Sequence, residues 1–149
     1  MRKSIRIVLL MAAFVTAIMQ AGAQAISFSL TEVCASWQYC KPQGINANGQ
    51  VVGYTDPING AQHAFLWDNA NPIQFFQDLG PGIAKGINNS GQVVGGSPAP
   101  PYGFPSAFLW DSVHGMQNIG STFGVLTSQA NAINRSGQVV GYVGNHLKS

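Results

Sequence analysis

The sequence predicts an all-β repeat fold, an incomplete β-propeller-like array of about two and a half four-stranded units. Three observations predict it. One ten-residue motif occurs three times: Gly44-Ile45-Asn46-Ala47-Asn48-Gly49-Gln50-Val51-Val52-Gly53, Gly86-Ile87-Asn88-Asn89-Ser90-Gly91-Gln92-Val93-Val94-Gly95 and Ala132-Ile133-Asn134-Arg135-Ser136-Gly137-Gln138-Val139-Val140-Gly141. A second motif lies between successive copies, as Ala64-Phe65-Leu66-Trp67-Asp68 and as Ala107-Phe108-Leu109-Trp110-Asp111. The spacing is 42 residues from Ile45 to Ile87, 46 from Ile87 to Ile133 and 43 from Phe65 to Phe108. A period in the forties suits propeller blades and helical HEAT or armadillo pairs alike. Gly, Asn and Pro recur every few residues and leave no uninterrupted window for an amphipathic helix, which selects the β reading.

Residues 1–25 read as a helical secretory signal peptide. Arg2, Lys3 and Arg6 form a basic start, and residues 7–18 form an apolar run of twelve. That run falls short of the roughly 20 residues a spanning helix needs. Small residues at Ala21, Ala23 and Ala25 offer cleavage sites, with cleavage after Ala25 the first choice and after Ala23 the second. The expected product is secreted, extracellular or periplasmic, with no stable membrane anchor after cleavage.

Residues 26–43 are a lead-in. Ile26-Ser27-Phe28-Ser29-Leu30 alternates apolar and polar side chains, the signal of a half-buried strand. Cys34 and Cys40 come next. Export implies an oxidising compartment, so the pair is expected to form a disulfide; two packed free thiols are the alternative. The loop is short, and its closure would contribute about 2–3 kcal/mol.

Residues 44–149 carry the repeats, in units starting near 44, 86 and 132. Each unit opens with a short strand such as Ala84-x-Gly86-Ile87. Asn88-Asn89-Ser90-Gly91 and its equivalents then form a tight turn. Asn at the first position can hydrogen-bond its own backbone, and Gly at the fourth accepts a positive φ, giving a type I turn with a G1 bulge. Gln92-Val93-Val94-Gly95 returns as the second strand. Its adjacent valines place apolar groups on both faces, as in a sheet covered on both sides. In the third strand Phe65 and Trp67 face one way and Leu66 the other. Gln77-Asp78-Leu79-Gly80 and Gln117-Asn118-Ile119-Gly120 are the expected fourth strands.

Two stretches break the pattern. Residues 95–108 contain Pro98, Pro100, Pro101 and Pro105 and read as a loop between second and third strands. The distance from Gly120 to Ile133 is 13 residues against 7 from Gly80 to Ile87, which places a second insertion between units. Repeat proteins often put binding surfaces on such insertions. Residues 97–106 and 121–129 are therefore the candidate binding loops, and Tyr102, Phe104 and Tyr142, in or near variable loops, are the candidate contact residues.

The Ile-Asn-x-x-Gly-Gln-Val-Val-Gly motif followed by His63-Ala64-Phe65-Leu66-Trp67 resembles the bacterial extracellular repeat named for its His-Ala-Phe motif, the HAF repeat family. The resemblance covers about residues 44–141. It implies an exported, repeat-built protein and no particular chemistry. Ser106 replaces the motif His in the second unit, and the third unit reaches Ser149 without a Phe-Leu-Trp.

Charge excludes one partner class. Beyond the leader, four basic residues (Lys41, Lys85, Arg135, Lys148) face five acidic ones (Glu32, Asp56, Asp68, Asp78, Asp111), a net charge of −1. A nucleic-acid footprint needs clustered Lys and Arg. His63, His114 and His146 with two cysteines lack metal-ligand spacing, and no cofactor motif occurs. Asp68 and Asp111 share one repeat position after Trp, which a turn role explains. His63 reads as a strand-edge packing residue. Gly-x-Ser-x-Gly and His-Glu-x-x-His are absent from the sequence.

The expectation is a non-enzymatic extracellular or cell-surface interaction module. Its partners would be an extracellular protein or glycan, and open β-edges would allow self-association. The alternative is a fragment of a carbohydrate-active or other hydrolytic β-propeller, with Glu32, Asp56 and Asp78 converging in a cleft. About two and a half units fall short of the roughly four to eight blades of a closed propeller. Three solutions compete: a longer gene product, closure by oligomerisation, or completion by the strand at residues 26–30.

Overall fold

The computed structural model describes residues 33, 39–56, 61–68, 70, 76–99, 104–123 and 127–144, without the side chains of Ala99, Phe104 and Phe123. The leader with Ala25, the strand expected at residues 26–30, Glu32, Cys34 and Tyr102 lie outside the described residues. All the described strands belong to one compact unit, Thr31–Ser149.

The described part is all-β. Its strands are β1 (Cys40–Ile45), β2 (Val51–Thr55), β3 (His63–Trp67), β4 (Phe76–Pro81), β5 (Ile83–Ile87), β6 (Val93–Ala99), β7 (Phe104–Asp111), β8 (Gly115–Asn118), β9 (Thr127–Ile133) and β10 (Val139–Gly144). They form a first sheet β1-β2-β3-β4, a second sheet β5-β6-β7-β8 and a third, two-stranded sheet β9-β10. Every pairing is antiparallel. A short 3-10 turn, Gly120–Phe123, comes after β8. Each sheet thus corresponds to one sequence unit.

Each unit opens with the same hairpin. Gly49, Gly91 and Gly137 have φ of 78°, 78° and 80°, the left-handed conformation expected at the fourth turn position. Gly91 N–H donates to the Asn88 carbonyl at 3.1 Å, and Asn88 N–H donates to the Gln92 carbonyl at 3.0 Å. The first strand then carries a bulge. Register shifts between Pro42 and Gly44, between Ala84 and Gly86, and opposite Val140 and Gly141. The closing Gly of each motif sits against that bulge. A Cβ on Gly53, Gly95 or Gly141 would stand 2.1, 2.0 or 2.0 Å from the carbonyl oxygen of Lys41, Ile83 or Gln129. Steric exclusion by backbone therefore fixes this glycine.

The two-sided strands bury their faces between successive sheets. One cluster joins Val52, Ala64, Leu66 and Leu79 of the first sheet to Ala84, Ile87, Val93, Phe108 and Trp110 of the second. Another joins Val94, Ala107, Leu109 and Ile119 of the second sheet to Ala130, Ile133 and Val139 of the third. Each of the first two units turns its second Val and its Leu toward the next sheet. The second unit turns its motif Ile, first Val, Phe and Trp toward the first sheet. On the outer face of the first sheet, Val51, Phe65 and Trp67 pack with Val33, Cys40 and Phe76, and the Phe65 and Phe76 rings stack with centroids 4.5 Å apart.

First strands approach closely from sheet to sheet. A Cβ on Gly44 would lie 3.0 Å from the Lys85 carbonyl oxygen, and one on Gly86 would lie 3.1 Å from the Ala132 Cα. Glycine at both positions permits this approach. Ala132, the third-unit equivalent, is exposed.

The proline-rich stretch departs from the loop expected at residues 97–106. β6 runs on to Ala99 and β7 begins at Phe104, with Ser97 opposite Ser106, Pro98 opposite Pro105 and Ala99 opposite Phe104. The physical reason is the absence of a third strand there among the described residues. β5 pairs with β6 only as far as Gly96, and β8 pairs with β7 only from Phe108. The prolines' missing N–H groups therefore have no further ladder to interrupt. The second insertion includes residues of the 3-10 turn and the start of β9.

Candidate functional site

Three groupings could carry chemistry. The first is the Asn-x-x-Gly-Gln turn. Asn88 Oδ1 accepts from the N–H groups of Ser90 and Gln92, each at 3.0 Å. Its Nδ2 donates to Gln92 Oε1 at 2.7 Å and to the backbone carbonyl of Asn134 at 3.1 Å. Asn46 repeats the pattern, reaching Gln50 Oε1 at 2.7 Å and the Asn88 carbonyl at 3.0 Å. Gln50 in turn donates to Asp68 Oδ2 at 2.9 Å. Every polar atom of the Asn88 amide is engaged in holding the turn and joining two sheets. This motif is a joint.

The second grouping is the set of acid–base pairs. Lys41 Nζ lies 2.8 Å from Asp56 Oδ2 and 5.3 Å from the Tyr54 ring centroid. The hydrogen bond to Asp56 raises the Lys41 pKa, and the same bond lowers that of Asp56. Asp111 Oδ1 accepts from the N–H groups of Val113 and His114 at 2.9 and 2.7 Å, and both its oxygens lie 3.0 Å from His114 Nδ1. The His114 side-chain hydrogen bond, helped by these backbone donors, lowers the Asp111 pKa. Asp68 accepts from the Ala70 N–H at 2.9 Å, so both post-Trp aspartates cap turns as their shared position predicts.

His63 Nδ1 lies 2.8 Å from Asp78 Oδ2, and Asp78 Oδ1 accepts from the Gly80 N–H at 2.8 Å. The second unit holds Ser106 and Asn118 at these two places, with Ser106 Oγ donating to Asn118 Oδ1 at 2.7 Å. The His-to-Ser and Asp-to-Asn differences between units are thus one coupled exchange of a bonded pair. The sequence displays both replacements, but only the pairing of β3 with β4 shows that they touch.

The third grouping lines two cavities. One, of about 290 Å³, is bordered by Gln62, Gly82, Ser97, Pro98, Pro105 and Gln129. It adjoins the paired ends of β6 and β7, close to the stretch expected to bind. Phe104 opens β7 opposite Ala99, in a strand and not in a loop. The other cavity, of about 270 Å³, lies between the second and third sheets, bordered by Ala107, Ile119, Ser128, Ala130, Val139 and Tyr142. Ser128 is buried, and its Oγ accepts from the Ala107 N–H at 2.9 Å. This apolar groove sits beside β10, whose outer edge pairs with no strand among the described residues.

Among the described residues no group of three or more His, Cys, Asp or Glu is placed to hold a metal ion. Nor does any buried side-chain nitrogen or oxygen there lack a hydrogen-bond partner. Cys40 is disulfide-bonded; Cys34, the other cysteine of the sequence, lies outside the described residues. No helix among the described residues is long and apolar enough to cross a membrane.

Comparison with known proteins gives no match to a family model, to a curated protein or to a solved structure.

Proposed function

We propose that this chain is an exported, non-enzymatic β-repeat module that binds an extracellular protein or glycan, its sheets set like successive blades of an incomplete propeller. One observation carries the reading. The carboxylates of Asp56, Asp68, Asp78 and Asp111 each serve a separate structural contact, with Lys41, Gln50, His63 and His114 respectively. General acid–base work on a glycoside needs two carboxyl groups facing one another across a cleft, whereas each of these four is engaged by its own partner. The stacked sheets and their shared clusters support the blade-like arrangement. The basic, apolar and small-residue order of residues 1–25 supports export. The motifs resembling HAF repeats support an extracellular setting.

Expression of the full chain in a bacterial host tests the location. Recovery outside the cytoplasm, with an intact mass that begins at Ile26, agrees with the reading. Retention in the cytoplasm with residues 1–25 still attached contradicts it.

A further inference from the structure

The residue after the closing glycine of the repeat motif is Tyr54 in the first unit and Tyr142 in the third, but Gly96 in the second. The three positions are equivalent in the fold. Tyr54 pairs with Lys41 and Ala64 across its flanking strands, Gly96 with Ile83 and Ala107, and Tyr142 with Gln129. In the first unit the ring covers its neighbour, with Lys41 Nζ 5.3 Å from the Tyr54 centroid. In the second unit no side chain occupies that place, and the cavity of about 290 Å³ opens there with Gly96 in its wall. Gly96 does not have a positive φ. Backbone does not crowd it either: the three atoms nearest to an added Cβ all belong to the Gln129 side chain, at 3.1, 3.3 and 3.5 Å.

The walls of the cavity have a definite chemistry. Gln129, from the third unit, is half-buried, and its amide group has no hydrogen-bond partner among the described residues. Gln62, from the first unit, is half-buried and hydrogen-bonds Asp56 through its side chain. Pro98 follows Gly96 on the same face of β6, and Pro105 is its cross-strand partner on β7, so two aliphatic rings lie side by side. Among the described residues no charged side chain borders the cavity.

We propose that this cavity binds a neutral pyranose residue of an extracellular glycan. The free Gln129 amide supplies a donor and an acceptor for sugar hydroxyls, and Gln62 presents a second amide from another unit. The proline rings meet the carbon–hydrogen face of the sugar. An apolar cavity with a few convergent polar groups is the usual form of a small-molecule site. Its uncharged walls select against uronic acids and free amino sugars, whose charge would be left unpaired. A tyrosine side chain of a partner protein is the competing occupant, because Tyr fills the equivalent place in the other two units. Its single hydroxyl satisfies one amide, whereas a pyranose of similar breadth carries hydroxyls around its rim and meets both.

This proposal rests on the interaction-module reading and names its site and ligand class. Glucose, galactose, mannose and N-acetylglucosamine are each titrated into the full chain with amide NMR shifts as readout, and N-acetyltyrosinamide is titrated in parallel. The expected result is saturable shifts at Gly82, Gly96, Ser97 and Gln129 with at least one sugar. Gly96→Tyr restores the residue of the other two units in the same register and should abolish binding. Gln129→Ala should weaken it about fivefold, the net worth of one hydrogen bond, and it decides the matter if Gly96→Tyr disturbs the fold. Absence of saturable shifts with all four sugars overturns the proposal. So does unchanged affinity in either variant, or saturable binding of N-acetyltyrosinamide at these residues in place of the sugars. Failure here leaves the export result untouched, and cytoplasmic retention leaves this result untouched, so the two readings fail separately.

Discussion

The side chain of Asn88 donates to the backbone carbonyl of Asn134 across 3.1 Å, linking turns 46 residues apart. Asn46 makes the equivalent bond to the Asn88 carbonyl at 3.0 Å, across 42 residues. The repeated Asn therefore works between units as well as within its own turn. Main-chain groups receive these bonds, so the ladder tolerates different residues at the two middle turn positions.

The glycine that ends each motif should be less replaceable than the glycine in the turn. Gly91 needs a left-handed φ but has open space where a Cβ would go. Gly91→Ala should cost about 1–2 kcal/mol, the usual penalty for that conformation. Gly95→Ala places a methyl 2.0 Å from the Ile83 carbonyl oxygen and 2.8 Å from the Phe108 ring. It should cost about 3 kcal/mol or more, as overpacking against backbone does at its severe end. Urea midpoints of the two variants check the order.

The His63–Asp78 pair should behave as a unit. His63→Ser alone leaves Asp78 without its imidazole partner, and Asp78→Asn alone changes the charge facing His63. The double variant recreates the pair found as Ser106 and Asn118, whose oxygens stand 2.7 Å apart. The double variant should be more stable than the sum of the single losses implies, with a coupling of about 1 kcal/mol or less for so exposed a contact. A double-mutant cycle measures it, and strict additivity would remove the coupling.

Stability should fall at both pH extremes for identifiable reasons. The Asp56 and Asp111 pKa values lie below their ordinary 3.8 in the folded chain. Their contribution is complete above that value and is lost as pH falls through the lowered folded values. Lys41 is raised above its ordinary 10.5, so its contribution is complete below 10.5 and is lost as pH rises further. Between these limits the three groups predict a flat profile. Asp111→Asn should flatten the acid limb and leave the alkaline limb unchanged, as thermal midpoints measured against pH would show.

The local chemistry of this fold was legible in the sequence. The left-handed Gly at the fourth turn position, the paired valines and the Phe-Leu-Trp alternation depend on neighbours a few residues away, and all stand where the pattern placed them. Features that depend on distant chain were not legible. Gly95 is excluded from carrying a side chain by Ile83 across a bulge, and no turn rule reports a bulge in the facing strand. Pro98 and Pro105 suggested a loop because proline interrupts sheets; their tolerance depends on both flanking strands having ended. Gly96 stands where the other units carry Tyr, which the sequence displays; only the folded stack shows the cavity it leaves beside Gln129.

That the repeated Asn joins one sheet to the next is tested most directly by alanine substitution of Asn46, Asn88 and Asn134, with urea denaturation of each variant. All three hold their own turn through bonds to Gln50, Gln92 and Gln138. Asn46 and Asn88 also reach the next unit; Asn88 is 4% exposed, whereas Asn134 is exposed and reaches no further unit among the described residues. Asn88→Ala should cost about 2–3 kcal/mol, the range for stripping partners from buried polar groups, with Asn46→Ala between and Asn134→Ala near 1 kcal/mol. Equal losses at Asn88 and Asn134 would contradict the joint and reduce the motif to an isolated turn.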